Sequence, residues 1–125
     1  MPLIQSVYRM MNIENTQAQM RKGILEYCIL LLIAGEDSYV QDIINKLKAS
    51  KILVAEGTLY PLMTRLKNSG LLSYRWEESP QGPPRKYYSI TSEGRRALET
   101  LDNSWQELKN SIETVRTWNN NPETV

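Results

Sequence analysis

The 125 residues include 15 basic and 14 acidic side chains, and 41% of the chain is hydrophobic. This length suffices for one domain with a modest core and is too short for two independent ones. The balance of apolar and charged residues argues against a disordered chain. The longest apolar run, residues 27–34, is far below the roughly 18–20 residues that a membrane span needs.

Histidine is absent and Cys28 is the single cysteine. This composition excludes Ser–His and Cys–His catalysis and removes the commonest transition-metal ligand. Cys28 has no metal-ligand spacing and no internal disulfide partner, so we expect a reducing cytoplasm and a buried structural role, with a redox sensor as the alternative. No phosphate-binding glycine loop or paired-carboxylate motif is recognisable. An enzyme, a bound metal and a cofactor are therefore not expected.

The first residues share no hydrophobic period with the segment that follows them. We expect residues 1–14 to form a flexible extension, with Met11 as an alternative native start. A helix capped by Asn15 or Thr16 is predicted next. Its second half, residues 24–33, is apolar nearly all round, which is more than one small domain can cover from one side. A second subunit could cover the remainder.

A break at residues 35–38 separates this helix from a second one. Gly35 marks the end of the first helix, and Asp37 or Ser38 is the predicted N-cap of the next. In residues 39–49 the apolar side chains have the period of a one-sided helix, at Val40, Ile43, Ile44 and Leu47. This pattern is typical of the first helix of a helix-turn-helix, which crosses the DNA backbone.

Residues 56–72 predict a short helix with two different faces. The rest of the predicted fold is organised around this helix. Pro61 lies in or just past the first turn, where at most one backbone bond is lost, and Gly70 ends the helix. One face is an apolar stripe that must contact a core, at Leu59, Leu62, Met63 and Leu66. The free face carries groups that contact phosphates and base edges in a groove, namely Thr58, Tyr60, Pro61, Thr64, Arg65, Lys67 and Asn68.

A β-hairpin is predicted after Gly70. Apolar residues alternate with polar ones in a common phase over two runs, at Leu72, Tyr74, Trp76, Tyr88 and Ile90. Between the runs, residues 79–84 (SPQGPP) have turn chemistry, and the prolines stiffen the loop. Arg85 and Lys86 lie at its base. A stiff tip above cations suits a wing laid along a DNA groove; a surface hairpin with solvated charges is the alternative.

Thr91 or Ser92 is the predicted N-cap of the last helix, which ends near Asn119. Its apolar residues follow a coiled-coil spacing for about two and a half heptads, at Leu98, Leu101, Trp105, Leu108, Ile112 and Val115. A helix of about 28 residues is about 42 Å long, which is longer than a domain of this size covers. It therefore needs a partner, and a second copy of the chain is the simplest one.

Charge is divided along the chain. Residues 58–96 carry seven basic and three acidic side chains, whereas residues 97–125 carry two basic and five acidic ones. This division fits one surface for a polyanion and another for a different purpose. We therefore predict a mainly α fold with a small β-hairpin (α+β). A winged helix-turn-helix covers residues 15–91, a dimerisation helix residues 92–119 and a tail residues 120–125.

The segment GTLYPLMTRLKNSGLL, then Trp76, then GPPRKYYSIT and Gly94 resembles the PadR family of winged-helix transcriptional regulators. The resemblance extends from about Gln19 to Trp118 and implies a DNA-binding regulator that acts as a repressor. Because a dimer presents two recognition helices, its operator should be an inverted repeat. The residues expected to contact DNA are Tyr39, Thr58, Tyr60, Pro61, Thr64, Arg65, Lys67, Gln81, Gly82, Arg85 and Lys86.

Trp105 has two interpretations. The first is packing in the dimer interface. The second is an aromatic platform that stacks on a planar ligand at the two-fold axis. The resemblance supports this, since some PadR members use a tryptophan at the place matched by Ser104 and Trp105 to sandwich drugs or phenolic compounds. The alternative function is therefore a ligand-sensing or protein-interaction module with weak DNA binding, although the cations of residues 65–67 and 85–86 argue against it.

Overall fold

The computed structural model describes residues 2–119, with side chains described from Asn12 onward. It has the predicted mainly α architecture with a β-hairpin wing and a long C-terminal helix. No helix in this part of the chain is long and apolar enough to cross a membrane. The predicted tail, residues 120–125, lies outside the described residues. The elements in chain order are α1 (Pro2–Gly35), α2 (Val40–Ala49), α3 (Glu56–Asn68), β1 (Leu72–Ser79), β2 (Gly82–Ile90) and α4 (Ser92–Asn119).

The first helix is longer than the sequence predicted. α1 begins at Pro2, so the predicted start at Asn15 or Thr16 is wrong, and the segment expected to be a flexible extension is helical from residue 2. Proline is tolerated at this position because the first N–H groups of a helix have no intrahelical partner. Residues 12–22 are exposed, and their sequence therefore carries no core-facing period that could have marked them as helical.

The core lies where α1, α2, α3 and the hairpin meet. α2 and α3 each bury the apolar stripe that their period predicts, and α1 contributes the residues of its apolar second half. Cys28 packs half-buried against this cluster, and burial raises the pKa of its thiol, as expected for a structural role. The largest fully buried apolar side chains are Ile29, Leu30, Ile33, Ile43, Leu59 and Met63.

The loop between α1 and α2 is tied to the wing. Tyr39 is the N-cap of α2, so the predicted cap at Asp37 or Ser38 is wrong. The backbone N–H of Tyr39 donates to the carboxylate of Asp42 at 3.2 Å. Ser38, one residue before the cap, exchanges two backbone hydrogen bonds with Tyr88 of β2, at 3.0 and 2.9 Å, and its hydroxyl donates to the Glu36 carbonyl at 2.8 Å. This bridge fixes the hairpin against the start of the helix-turn-helix.

Gly70 ends α3, as predicted, in the left-handed region at φ +82°, which glycine adopts without steric cost. Its N–H donates to the Lys67 carbonyl at 3.0 Å, and the Leu71 N–H donates to the Leu66 carbonyl at 3.0 Å. These are the two hydrogen bonds of a Schellman motif. Because β1 starts at Leu72, this helix end sets the direction in which the wing leaves α3.

The hairpin has the predicted phase but a shorter turn. β1 extends to Ser79 and β2 begins at Gly82, so the predicted six-residue loop is wrong and Pro83 and Pro84 lie within β2. Proline is tolerated there because a two-stranded sheet has open edges that need no N–H donor. A register irregularity between Glu77 and Ser79 accompanies the tight turn. The cross-strand pairs are Leu72 with Ile90, Tyr74 with Tyr88, and Trp76 with Lys86.

α4 begins at Ser92, and its cap is Thr91, one of the two predicted cap residues. The Gly94 N–H donates to the Thr91 hydroxyl oxygen at 2.9 Å, and that hydroxyl donates to the Gly70 carbonyl at 2.7 Å. Gly94 is buried, and a Cβ there would collide with the Leu71 carbonyl and the Ile90 side chain. Glycine therefore allows α4 to start in close contact with the base of the wing.

Candidate nucleic-acid interface

A groove lies between the start of α2, the exposed face of α3 and the wing. Its lining includes five of the residues predicted to contact DNA, which come from three different elements. The groove brings the recognition helix and the wing cations onto one surface, as a winged helix-turn-helix requires. The predicted DNA contacts in its wall are Tyr39, Tyr60, Thr64, Arg85 and Lys86, and the other lining residues are Val40, Gln41 and Tyr88.

The free face of α3 is exposed, as predicted. Tyr60 has 52% of its surface accessible, and Thr58, Pro61, Thr64 and Lys67 are exposed as well. A second, shallower groove follows this face towards the end of the helix, and its lining includes Tyr60, Pro61, Thr64, Arg65, Asn68 and Ser69. Side chains for base edges and for phosphates are thus presented together on one helix.

Arg65 differs from the other residues of this face because it has an ionic partner within the chain. Its guanidinium pairs with the carboxylate of Glu26 in α1, while 64% of the Arg65 side chain stays exposed. An exposed ion pair contributes little to stability, and a phosphate can replace the carboxylate. The sequence pattern could not reveal this pair, because the two residues lie 39 positions apart in different elements.

The outer face of the wing, defined here by Arg75, Glu77, Tyr87 and Ser89, is held by a hydrogen-bonded network. Arg75 donates to the Asp37 carboxylate at 3.0 Å and to Glu77 at 3.1 Å, and the Ser89 hydroxyl donates to Asp37 at 2.8 Å. The Arg75 guanidinium also lies over the Tyr87 ring at 4.4 Å. The hydrogen bond from Arg75, followed by that from Ser89, lowers the pKa of the Asp37 carboxyl.

Tyr39 joins this network to the groove. Its ring lies 4.6 Å from the Tyr87 ring and 5.2 Å from the Arg85 guanidinium, and its hydroxyl donates to Glu77 at 3.4 Å. A cation over an aromatic ring keeps its own N–H donors available for a further acceptor. Tyr39 therefore positions Arg85 at the edge of the groove.

The inner face of the wing, defined here by Tyr74, Trp76, Lys86 and Tyr88, carries cations that contact rings. The Lys86 ammonium lies 4.5 Å from the Tyr74 ring centre and 5.6 Å from that of Trp76. Lys67 at the end of α3 approaches the same Tyr74 ring at 5.6 Å. The sequence predicted both lysines as DNA contacts and treated the two aromatic residues only as strand residues. Gln81 and Gly82, also predicted as DNA contacts, are exposed at the tip of the wing.

The predicted dimerisation seam is divided between two environments. Leu98 and Leu101 pack against the core of their own chain, which the continuous seam predicted from sequence did not anticipate. From Trp105 onward α4 extends past the core, and the rest of the seam is exposed. The accessible fractions are 37% for Trp105, 53% for Leu108, 45% for Ile112 and 60% for Val115. These four residues are called the distal stripe below.

A hydrogen bond connects α4 with α1 at the point where the helix leaves the core. The Tyr27 hydroxyl donates to the Asp102 carboxylate at 2.5 Å, and this bond raises the pKa of Tyr27 to about 12. The direction of α4 relative to the winged-helix body is thereby fixed by a polar contact as well as by packing. Within the part of the chain whose side chains are described, no cluster of Cys, Asp or Glu has a metal-binding arrangement.

Comparison with known proteins relates the whole arrangement to one family. Residues 29–100 match the family model described as the transcriptional regulator PadR-like family. A solved PadR-like transcription factor from Bacteroides fragilis is 56% identical, with a TM-score of 0.69 over 81% of this chain and 98% of that one. A PadR family regulator from Eggerthella lenta is 29% identical, with a TM-score of 0.80 over 87% of this chain and 96% of that one.

A relative from Methanocaldococcus jannaschii, described as a helix-turn-helix transcriptional regulator, is 36% identical over 75 residues, which is 59% of this chain and 64% of the relative. The family consists of transcriptional regulators, and the prediction of a regulator rather than an enzyme is confirmed. The family model spans more than half of the 125 residues. The chain therefore belongs to the PadR-like family of transcriptional regulators.

Proposed function

We propose that this PadR-like regulator is a homodimeric repressor that binds an inverted-repeat operator through its two recognition helices. The observation that carries the proposal is the groove, in which an exposed polar face of α3 lies beside the wing cations Arg85 and Lys86. Repression follows from the position of such a dimer on a promoter, where it excludes the transcription machinery. Since it acts on the cell's DNA, a cytoplasmic location belongs to the same proposal.

Sequence is read, in this proposal, by the free face of α3. Thr58, Tyr60, Pro61, Thr64 and Arg65 meet base edges and the nearest phosphates, because a recognition helix presents its exposed side to the major groove. The remaining predicted contacts hold the duplex in register through phosphates and the neighbouring groove, and they are Tyr39, Lys67, Gln81, Gly82, Arg85 and Lys86.

The homodimer is supported by the distal stripe. Four large apolar residues with coiled-coil spacing are exposed on a helix that has left its own core. Contiguous exposed apolar surface of this kind marks an interaction site. A second copy offers the same stripe and closes the assembly with two-fold symmetry, which also places two recognition helices on one side of the duplex. Leu98 and Leu101 then adjoin the interface from within each protomer.

Trp105 supports a second candidate function, the sensing of a small planar aromatic effector. It is the first residue of the distal stripe and is 37% exposed, so in a dimer two copies could face a flat molecule near the axis. A planar dye should then quench tryptophan fluorescence and lower DNA affinity. Trp105→Leu should abolish both effects, and a dye that binds the Trp105→Leu variant equally well would exclude this site.

Selection of bound fragments from random DNA tests the main proposal. We expect an enriched palindrome whose half-sites are separated by one or two helical turns of about 10–10.5 base pairs. Arg65→Ala selected in parallel should lose preference at a single position in each half-site if Arg65 reads a base there. Enrichment of one unrepeated half-site would contradict the dimer, and the absence of any enriched sequence would contradict sequence-specific binding.

A further inference from the structure

Trp76 is exposed on a strand face that is buried only where it packs on the core. Leu72 and Tyr88 on this face are 2% and 4% accessible, because they pack on the core, but Trp76 is 61% accessible. Trp76 lies further along the hairpin, directly opposite Lys86. An exposed indole loses the stabilisation that its burial would give. The core is complete without Trp76, so the fold itself does not require a tryptophan at this position.

The surroundings of Trp76 indicate what could cover it. Tyr74 meets Trp76 edge to face at a ring distance of 6.1 Å, and the two rings form one aromatic floor. Two ammonium groups border this floor, Lys86 at 4.5 Å from the Tyr74 ring and Lys67 at 5.6 Å from it. In the described part of the chain both lysines contact rings, and neither forms an ion pair with a carboxylate. A cationic border around an apolar floor complements a polyanion that has apolar parts.

We propose that this aromatic floor binds the sugar-phosphate backbone of one DNA strand, with deoxyribose packed on Trp76 and flanking phosphates held by Lys67 and Lys86. The proposal rests on the DNA binding proposed above and extends it to two aromatic residues. The floor adjoins the groove, whose wall includes Lys86, so a strand that leaves the recognition helix passes over Trp76. Deoxyribose presents C–H groups to an indole, and cation–π contacts orient the ammonium groups before the phosphates arrive.

A second copy of this chain is the competing occupant, since a large exposed aromatic residue also suits a protein interface. The position of the floor argues against it. The unpartnered apolar surface of α4 is the distal stripe, which begins beyond the core contacts of Leu98 and Leu101. Trp76 instead lies beside the wing cations, whose mutual repulsion a second, equally charged copy would increase.

The test compares Trp76→Ala with Trp76→Phe and Lys86→Ala in the full chain. Binding to the selected operator and to a mixed-sequence duplex of about 30 base pairs is measured by anisotropy of labelled DNA at several salt concentrations. We expect Trp76→Ala to weaken binding about tenfold on both duplexes, because deoxyribose carries no sequence information. The salt slope should stay unchanged, since no charge is lost. Trp76→Phe should stay within about threefold of the wild type, because it keeps a ring.

Lys86→Ala gives the contrasting signature, a flatter salt slope, since each lost phosphate contact removes about 0.9 from its magnitude. Trp118→Ala is the matched control, because Trp118 is 59% exposed and lies at the end of α4. This variant should bind DNA as the wild type does, provided that sedimentation shows the same assembly for both.

Wild-type affinity of Trp76→Ala on both duplexes would overturn the aromatic floor and leave the proposed function intact. A shift of Trp76→Ala to a smaller assembly would assign Trp76 to a second copy. Failure of the wild type to bind either duplex would instead contradict the proposed function itself.

Discussion

The winged-helix body and the distal part of α4 differ in how completely one chain satisfies them. In the body, the hydrophobic stripes of α1, α2 and α3 meet in one core, and no buried polar side-chain atom of the described residues lacks a hydrogen-bond partner. Beyond the contacts of Leu98 and Leu101, α4 buries no residue and exposes the distal stripe. The body is therefore a complete fold within one chain, whereas the stripe is an apolar surface that this chain leaves uncovered.

The largest expected effect comes from a charge in the distal stripe. Leu108→Glu should dissociate the dimer, because two buried carboxylates would meet near the axis without partners. Operator affinity should then fall by about 10²–10⁴-fold, since two separate monomers lose the effective concentration that their linkage provides. Analytical ultracentrifugation measures the assembly, and DNA titration measures the affinity.

Leu59→Ala provides the contrast to this variant. Leu59 is fully buried in the body, so its truncation should lower the free energy of unfolding by about 2–5 kcal/mol. The defect should persist at every protein concentration, whereas the Leu108→Glu defect in DNA binding should be partly recovered at high concentration. If Leu108→Glu remained a dimer with unchanged operator affinity, the distal stripe would be a solvated surface and the contrast between the two regions would be lost.

The wing cations should give the next largest effect. Replacing Arg85 and Lys86 together with alanine should weaken binding to all sequences alike, because in the proposed complex these residues contact phosphates rather than bases. In a dimer four charges are removed, so the magnitude of the salt slope should decrease by about 3–4. Anisotropy titrations at several salt concentrations measure it. Unchanged binding at low salt would mean that the wing does not contact DNA.

Arg65→Ala should weaken DNA binding less than the double substitution in the wing. Whether selectivity changes together with affinity shows which role Arg65 has. If Arg65 reads a guanine, its loss should cost about 1–3 kcal/mol and relax preference at one base pair per half-site. If it holds only phosphate, all sites should weaken equally. Glu26→Gln is a useful companion, because it frees Arg65 from its ion pair and should strengthen DNA binding slightly. If neither the affinity nor the selectivity of Arg65→Ala changed, α3 would not lie in the groove.

The smallest effect concerns pH and the network that holds the wing. Hydrogen bonds from Arg75 and Ser89 lower the pKa of Asp37. A carboxyl whose pKa is lowered in the folded state stabilises the fold above its unfolded pKa of about 3.9 and loses this contribution as pH falls through the folded value. Thermal unfolding measured between about pH 2 and 7 should therefore show lower stability at acid pH. Asp37→Asn should remove the part of this acid destabilisation that is due to Asp37. Arg75→Gln should reduce this part without removing it, because the hydrogen bond from Ser89 to Asp37 remains, and an unchanged profile in both variants would exclude the network as its source.

The periodic parts of the fold could be predicted from sequence, because the apolar stripes of α2 and α3 record which face each helix buries. The alternation of apolar and polar residues likewise predicted the phase of the hairpin strands. The start of α1 could not be predicted in this way, since residues 12–22 contact no core and carry no period. The turn was predicted too long because its prolines were assigned to a loop, although an open sheet edge accommodates Pro83 and Pro84.

The residues of the candidate site could likewise be predicted only where a local sequence pattern marks them. Thr64, Arg85 and Lys86 were predicted to contact DNA because they lie on a free helix face and beneath a turn, and the fold brings them to one groove. Contacts between distant elements leave no local pattern, which is why the Glu26–Arg65 pair and the Asp37–Arg75 hydrogen bond were missed. Trp76 was assigned to a strand face by alternation, but alternation does not show where along a hairpin the core ends.

The stoichiometry of the complex with a single operator duplex tests the central claim most directly. Sedimentation equilibrium of the full chain with one labelled duplex carrying the selected operator gives the mass of the complex. We expect two 14.5-kDa chains per duplex. Saturation should occur at this ratio of chains to duplex whichever of the two half-sites binds with the higher affinity. One chain per duplex, or no complex at a salt concentration of about 0.1 M, would contradict the account of a PadR-like regulator that binds its operator as a homodimer.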